Sequence, residues 1–335
     1  KGLGFKSVGE ITDHPQITST RASFQFSSDR ARSAVSAILG SLPNGQKLPV
    51  YAFPFPIELA DFGPDAEQVA ELRRSGFTTV IRLPLNEGVD RETVESHLLQ
   101  NLQPRLLLFL PHVDHLELRG TRGDFSAEVS REPEDGVEHV LLATTEPTEA
   151  EPTETREEWY IYRGSVVADA AVLAPLGDAW KSVKETRFAV AVPLDEGGHP
   201  LARETFPLHV YFPTDELPQL RVAVHAEWVL TMDRRYIATT PEAVAFNRML
   251  VHSLGDFVSE TVARDLVART GASASAIEAL VPAVATPSGD GGKAVRASWI
   301  QALLAASFLP AADGQLRPPT ELRPLPHSLP DPERA

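Results

Sequence analysis

Two spacings of apolar residues run through this chain, and together they restrict what it can fold into. Val222, Val224, Ala226 and Trp228 alternate with Ala223, His225, Glu227 and Val229, the period of two that a strand requires. Val244, Leu250, Val251, Leu254 and Val258 instead follow a helix with one buried stripe. Both patterns recur along 335 residues, a length that suits two or three domains of ordinary size. The expected class is therefore α+β.

The first unit is expected over residues 1–125. Residues 17–19 and 22–26 read as a hairpin with Phe24 and Phe26 on one face, and 33–39 as a short helix. Residues 48–56 carry three prolines and three aromatics and read as a connection or an edge strand, because proline cannot donate to a ladder. Residues 65–74 read as a helix ended by Gly76, and 78–83 as a strand ended by Pro84. Residues 90–102 read as a helix with Val94, Leu98 and Leu102 on its apolar side, and 105–110 and 115–119 as strands.

A second unit is expected over 126–255. Its acidic Thr/Pro/Glu tract, 144–158, lacks apolar period and reads as a solvated or disordered loop. Strands are expected at 159–162, 187–192, 208–212 and 222–230, with turn chemistry at 195–198. Thr240-Pro241-Glu242 has a hydroxyl cap, a first-turn proline and an acid, and opens a helix expected to run to about residue 268. A third segment, 256–335, is helical and then irregular. Residues 298–308 are amphipathic through Trp299, Leu303 and Leu304. Gly289-Asp290-Gly291-Gly292-Lys293 lacks the Ser or Thr of a Walker loop and reads as a flexible linker.

Composition removes several classes of function. There is no cysteine, which excludes disulfides, thiolate metal sites and cysteine nucleophiles. A net charge of −15 argues against this body gripping a nucleic-acid backbone. No apolar run reaches the length of a membrane helix and no signal peptide opens the chain, so the expected location is the cytoplasm. Arg far outnumbers Lys, which reads as the codon usage of a GC-rich bacterial genome. The chain begins Lys1-Gly2-Leu3-Gly4 and ends Pro-rich, and it is read as part of a longer protein.

Chemistry concentrates in Lys1-Gly2-Leu3-Gly4-Phe5-Lys6-Ser7-Val8. Two glycines one residue apart let the backbone approach an anion and take positive φ. A helix starting at Phe5 or Lys6 presents free N–H groups to a phosphate, and Lys6 adds a full charge. Taken alone, the pattern fits an ordinary glycine-rich turn at least as well. His112 and His115 lack a third ligand nearby and are read as surface histidines, so no metal site is assigned.

Together with Ile11-Thr12-Asp13-His14-Pro15-Gln16-Ile17, this opening resembles the second glycine box of the GHKL (Bergerat-fold) ATPases, in their heat-shock-chaperone and sacsin-like branch. Phe77-Thr78-Thr79-Val80-Ile81-Arg82-Leu83 resembles the family strand "G-T-x-(V/I)-I-x-L", with Phe77 where the family has Gly. Leu107-Leu108-Phe109-Leu110-Pro111-His112-Val113 resembles a strand near the end of the family's ATP domain. Phe308-Leu309-Pro310, continuing through Gly314 and Pro318, resembles a segment that follows the ATPase in sacsin-like proteins.

The resemblance implies the C-terminal half of a Bergerat α/β sandwich, then a chaperone-middle-domain-like α/β unit and a helical tail. It implies that Gly2, Gly4, Phe5 and Lys6 contact the phosphates of ATP and that Thr78 sits in the adenine pocket. Alternatively, Thr78 and Thr79 are simply β-branched strand residues. The family's catalytic Glu, Mg²⁺-binding Asn and adenine-reading Asp find no match in these 335 residues and are expected upstream.

Glu227-Trp228-Val229-Leu230-Thr231-Met232-Asp233-Arg234-Arg235 resembles the chaperone loop whose Arg reaches the γ-phosphate. Arg234 takes that position, Asp233 replaces a Ser and Arg235 replaces a Glu. A guanidinium suits the charge that builds on a transferring phosphoryl group. Asp233 is also placed to pair with Arg234, and a surface Arg pair at a strand end is the other reading. Three functions remain open: an ATP-hydrolysing conformational module of a larger bacterial chaperone-like or sacsin-like protein with an unidentified protein client, a nucleotide-sensing scaffold without turnover, and the ATPase subunit of a bacterial DNA defence or repair system.

Overall fold

The computed structural model describes residues 7–40, 48, 50–121, 123–148 and 151–323. Helices and strands mix throughout, and the class is α+β. The chain divides into two compact units, Lys1–Asn101 and Leu102–Ala335.

The first unit is built on an antiparallel sheet in the order β3-β2-β1-β4, from β1 (Gln16–Ser19), β2 (Ser23–Gln25), β3 (Phe55–Pro56) and β4 (Thr79–Arg82). Proline-bearing β3 occupies an edge, where its missing N–H costs no ladder bond. The expected β1–β2 hairpin is present, and the rings of Phe24 and Phe26 meet edge to face at 5.5 Å. Helix α1 (Ser28–Leu39) starts earlier than expected because the Ser27 hydroxyl accepts the Arg30 N–H at 3.3 Å. Helix α2 (Ala66–Arg74) stops short of Gly76, whose φ of 99° lies in glycine's territory. Ile57, Phe62 and Val69 form a small apolar cluster.

In α3 (Arg91–Asn101) the expected apolar stripe is not the covered side. Leu98 is 50% exposed, whereas Glu95 is buried and accepts from Arg91 Nε at 2.6 Å one turn back. The helix starts on Asp90, whose carboxylate takes the Thr93 N–H at 2.8 Å. That bond holds the Asp90 carboxyl below the usual carboxylate range.

The second unit carries an eight-stranded sheet in the order β11-β10-β12-β9-β8-β7-β6-β5. Strands β5 (His115–Gly120), β6 (Gly123–Glu134), β7 (Val137–Glu146), β8 (Thr153–Val167) and β9 (Glu185–Leu194) form an antiparallel meander. A short helix, α4 (Ala170–Leu173), follows β8. Beyond β9 the sheet continues with β12 (Ala223–Ala226) antiparallel to it, β10 (Leu208–Val210) parallel to β12, and β11 (Phe212–Pro213) at the edge. Strand β12 is shorter than the expected 222–230 and buried on both faces, as a central strand must be.

Helices cover one face of this sheet. Helix α5 (Pro241–Phe257) starts where Thr240-Pro241 places it, although the Thr240 hydroxyl makes no capping bond, then passes through one π-helical turn, Val258–Val262, into α6 (Ala263–Arg269). Helices α7 (Ala274–Leu280) and α8 (Asp290–Ala305) complete the layer, and a small hairpin of β13 (Leu309–Pro310) and β14 (Leu316–Arg317) follows. Phe188, Val190, Val192 and Val224 of the sheet share one apolar cluster with Phe246, Leu250, Leu266 and Trp299 of the helices. Residues 256–316 of the segment read as separate from the sequence thus contribute to the same core. Val244, expected on the buried stripe of α5, is exposed, and Ala243, Phe246 and Asn247 are buried in its place.

Two further expectations are corrected. Residues 105–110 are not a strand but lie in a 3₁₀ turn, Pro104–Phe109, in which Leu106, Leu107, Leu108 and Phe109 are all buried. Its free carbonyls are taken by arginines: Leu107 O and Leu110 O accept from Arg131 at 2.6 and 3.0 Å, and Leu108 O accepts from Arg163 at 3.1 Å. The acidic tract 144–158 is mostly ladder, with β7 and β8 pairing from Glu146↔Thr153 inward. Backbone pairing needs no apolar side chain, so Thr153, Glu154 and Thr155 fit there facing water.

Candidate functional site

The sheet of the first unit brings two of the resembling segments together. Strand β1, which follows the glycine-rich opening, pairs with β4, which follows Thr78, in the register Gln16↔Arg82, Ile17↔Ile81, Thr18↔Val80 and Ser19↔Thr79. The Thr20 N–H extends the ladder to Thr78 O at 3.2 Å. Upstream of β1, Asn86 clamps the Ile11–Asp13 stretch: its N–H reaches Ile11 O at 2.9 Å, and its Oδ1 accepts the Asp13 N–H at 2.8 Å.

One side of this pair is lined with buried polar groups. Gln16 and Thr18 are 5% and 2% exposed. Arg82 donates to Gln16 Oε1 at 2.8 Å and to Asp65 Oδ2 at 2.6 Å, while Gln16 Nε2 donates to Asp61 O at 3.0 Å. Burying amide and guanidinium groups without partners would cost several kcal/mol, roughly, so the network fixes how β1, β4 and the start of α2 meet. Thr78 itself is exposed. Gly2, Gly4, Phe5 and Lys6 lie outside the described residues; a short 3₁₀ turn, Ser7–Glu10, follows them.

Arg234 sits on a tight, exposed turn in the second unit, beyond the end of β12. Leu230 and Ile237 bridge its base, and the Thr231 N–H meets Tyr236 O at 2.8 Å. Asn247 of α5 locks the same base from below, accepting from the Val229 N–H at 2.9 Å and donating to Ala238 O at 2.8 Å. Arg234 has φ +61°, a left-handed conformation that is costly for a non-glycine residue. Its N–H closes the turn on Thr231 O at 2.9 Å.

The neighbouring charges are allotted elsewhere. Asp233 accepts from the Thr231 hydroxyl at 2.6 Å and the Arg235 N–H at 3.2 Å, and these bonds hold its carboxyl below the usual range. It is therefore not paired with Arg234, contrary to the alternative considered from the sequence. Arg235 donates from Nε to Asp215 at 2.6 Å. Among the described residues, the Arg234 guanidinium has no ion pair or hydrogen bond. The turn thus carries one committed and one uncommitted cation side by side.

Behind the turn lies a carboxylate that sequence reasoning passed over. Glu216 is 1% exposed, and it accepts the Ile237 N–H at 3.0 Å and the Gly292 N–H at 2.8 Å. Gly292 is in the first turn of α8, so the glycine-rich stretch 289–293 is a helix N-terminus already filled by an internal anion, not a linker.

A separate cavity of about 400 Å³ opens in the second unit, lined in part by Phe109, Arg163, Arg187, Tyr211 and His225. The His225 ring stacks on Phe109 at 5.2 Å, and its Nδ1 accepts the Tyr211 N–H at 3.1 Å. Burial pushes His225 down to about 3 and its strand neighbour His209 to about 4, so both imidazoles are neutral at pH 7. Arg163 is neutralised by a two-pronged pair with Glu138, both bonds at 2.9 Å. The lone signal in the sequence was a His inside the apolar run Val222–Ala226.

Among the described residues no group of three or more His, Asp or Glu side chains is placed to hold a metal ion. No helix among them is long and apolar enough to cross a membrane. The chain matches no known family model, no curated protein and no solved structure.

Proposed function

We propose that this chain is the nucleotide-responsive part of a Bergerat-type ATPase, acting in the cytoplasm as a conformational module of a larger chaperone-like or sacsin-like bacterial protein. The observation that supports this reading is the pairing of β1 with β4, which lays the segment after the glycine-rich opening beside the segment after Thr78. A phosphate grip and a base contact more than seventy residues apart in sequence need such a juxtaposition to serve one nucleotide. On this reading Gly2, Gly4, Phe5 and Lys6 hold the phosphates of ATP, Thr78 contacts the base, and Arg234 stabilises charge on the γ-phosphoryl group as it transfers. Magnesium chemistry belongs to residues not matched in this chain, and the protein client is unidentified.

Arg234 fits its role better than Arg235, because Asp215 already engages Arg235. In the native polypeptide, Arg234→Ala is expected to lower ATP turnover by about tenfold to a thousandfold, with nucleotide affinity little changed. Arg235→Ala is expected to have a smaller effect. Steady-state turnover and calorimetric ATP affinity of the two variants separate the roles. Equal turnover in wild type and Arg234→Ala would remove the hydrolytic reading, and ATP binding without turnover in the wild type would favour the scaffold.

A further inference from the structure

The stretch Gly289-Asp290-Gly291-Gly292 is glycine-rich for a packing reason. A Cβ on Gly289, which has φ +72°, would lie 1.8 Å from Glu216 Oε2. One on Gly291 would lie 2.6 Å from Ile237 Cδ1, and one on Gly292 would lie 3.1 Å from the Leu217 backbone. Each glycine therefore admits a different piece of the same assembly: the Glu216 carboxylate, the foot of the Arg234 turn, and the chain that carries Glu216. Leu217 and Ser288 bridge alongside, through bonds of 2.9 and 3.2 Å. Next to Glu216, the Asp215 N–H donates to Arg235 O at 2.7 Å while its carboxylate holds the Arg235 side chain.

We infer that Glu216 is the positioning residue of Arg234: by sharing one buried carboxylate between Ile237 N–H and Gly292 N–H, it locks the Arg234 turn to the first turn of α8, so that the guanidinium is presented from a rigid base. The chemistry requires a carboxylate at this point. Two N–H donors converge on one side chain, and only an ionised carboxyl offers both an acceptor to each and a charge suited to a helix N-terminus. A carboxamide of the same size satisfies one donor and turns its own NH₂ on the other. Rigidity matters because a transition-state contact is lost through misplacement of about an ångström, at a cost of about a hundredfold.

This inference rests on the ATPase reading for its kinetic consequence but not for its physical one. The test uses Glu216→Gln in the native polypeptide, read two ways. Hydrogen exchange at the Ile237 and Gly292 amides should quicken by more than tenfold, roughly the loss of one buried bond. Turnover should fall about a hundredfold with ATP affinity unchanged, and the same substitution placed on top of Arg234→Ala should add nothing. A residue that serves stability alone would lower turnover in both backgrounds. Unchanged amide exchange in Glu216→Gln overturns the clamp. Faster exchange with turnover unchanged, while Arg234→Ala is inactive, overturns the positioning role. If Arg234→Ala is itself fully active, the ATPase assignment of Arg234 fails while the exchange result still stands or falls independently. Gly289→Ala provides a second route to the same clamp, since its Cβ would displace the carboxylate without altering its charge.

Discussion

The two sheets of this protein are buried by opposite means. In the eight-stranded sheet, Phe188, Val190, Val192 and Val224 sink into an apolar cluster that runs on through the helices. In the four-stranded sheet, the covered side of β1 is Gln16 and Thr18, and what meets them is Arg82, Asp65 and the Asp61 carbonyl. Apolar burial is additive and forgiving of detail, whereas a buried polar network is worth little unless every member is satisfied. The larger unit therefore holds its shape by volume, and the smaller one by direction.

The contrast breaks first where volume matters most. Trp299 is 1% exposed at the centre of the helix layer, and Trp299→Ala should destabilise the second unit by about 3–5 kcal/mol, read as a shift in its chemical denaturation midpoint. Next comes acid. His209 and His225 are held neutral in the fold, down to about 4 and about 3, by burial first, with Arg105 adding to the effect on His209, and His209 and Arg163 adding to that on His225. The unfolded chain binds the extra protons, so their stabilising effect is complete above about pH 6.5 and is lost as pH falls below it. The slope is up to about 1.4 kcal/mol per pH unit for each histidine. Denaturation midpoints between pH 7 and pH 4.5 should fall steeply in wild type and less so in a His209→Asn/His225→Asn variant.

The smaller unit should fail by a different route. Arg82→Ala leaves Asp65 and Gln16 short of their donor, a loss of about 1–3 kcal/mol. It should appear as faster exchange of the β1–β4 amides, with those of β8 and β9 untouched. Smallest of all is the outer part of the β7–β8 hairpin. Thr155 is exposed, and Thr155→Ala should stay within about 0.5 kcal/mol of wild type; a larger change would mean that this hairpin is packed against something.

Local signals in the sequence served well. Thr240-Pro241 marked the start of α5, and Asp195 with Gly198 marked a turn that the Gly198 N–H closes on Asp195 O at 2.9 Å. Caps and turns are written within four residues, so they can be read without the fold. The run Leu106–Phe109 could not, because four apolar residues in a row fit a strand or a buried turn equally. The acidic tract failed for another reason: composition reports on side chains, and the ladder with β7 is made by backbone. Arg234 was legible as an exposed Arg on a turn, but the device beneath it was not. Glu216 and Gly289–Gly292 stand more than seventy residues apart, and neither says anything about the other until the chain is folded.

One more consequence follows from the π-helical turn at Val258–Val262. Leu250, Leu254, Val258, Val262 and Leu266 are all buried, and each stands four residues after the last. In an α-helix a step of four overshoots a full circle by about 40°, so four such steps would carry Leu266 most of the way around to the water side. A single wider turn winds the phase back, and a stripe of strict fours stays pointed at the sheet. The extra residue thus acts as a leap day in a calendar of imperfect months. Deleting one residue between Val258 and Val262 would let the hydrogen bonds become regular and leave Leu266 pointed at the core, whereas regularising the turn at full length would rotate Leu266 out of it by about 100°.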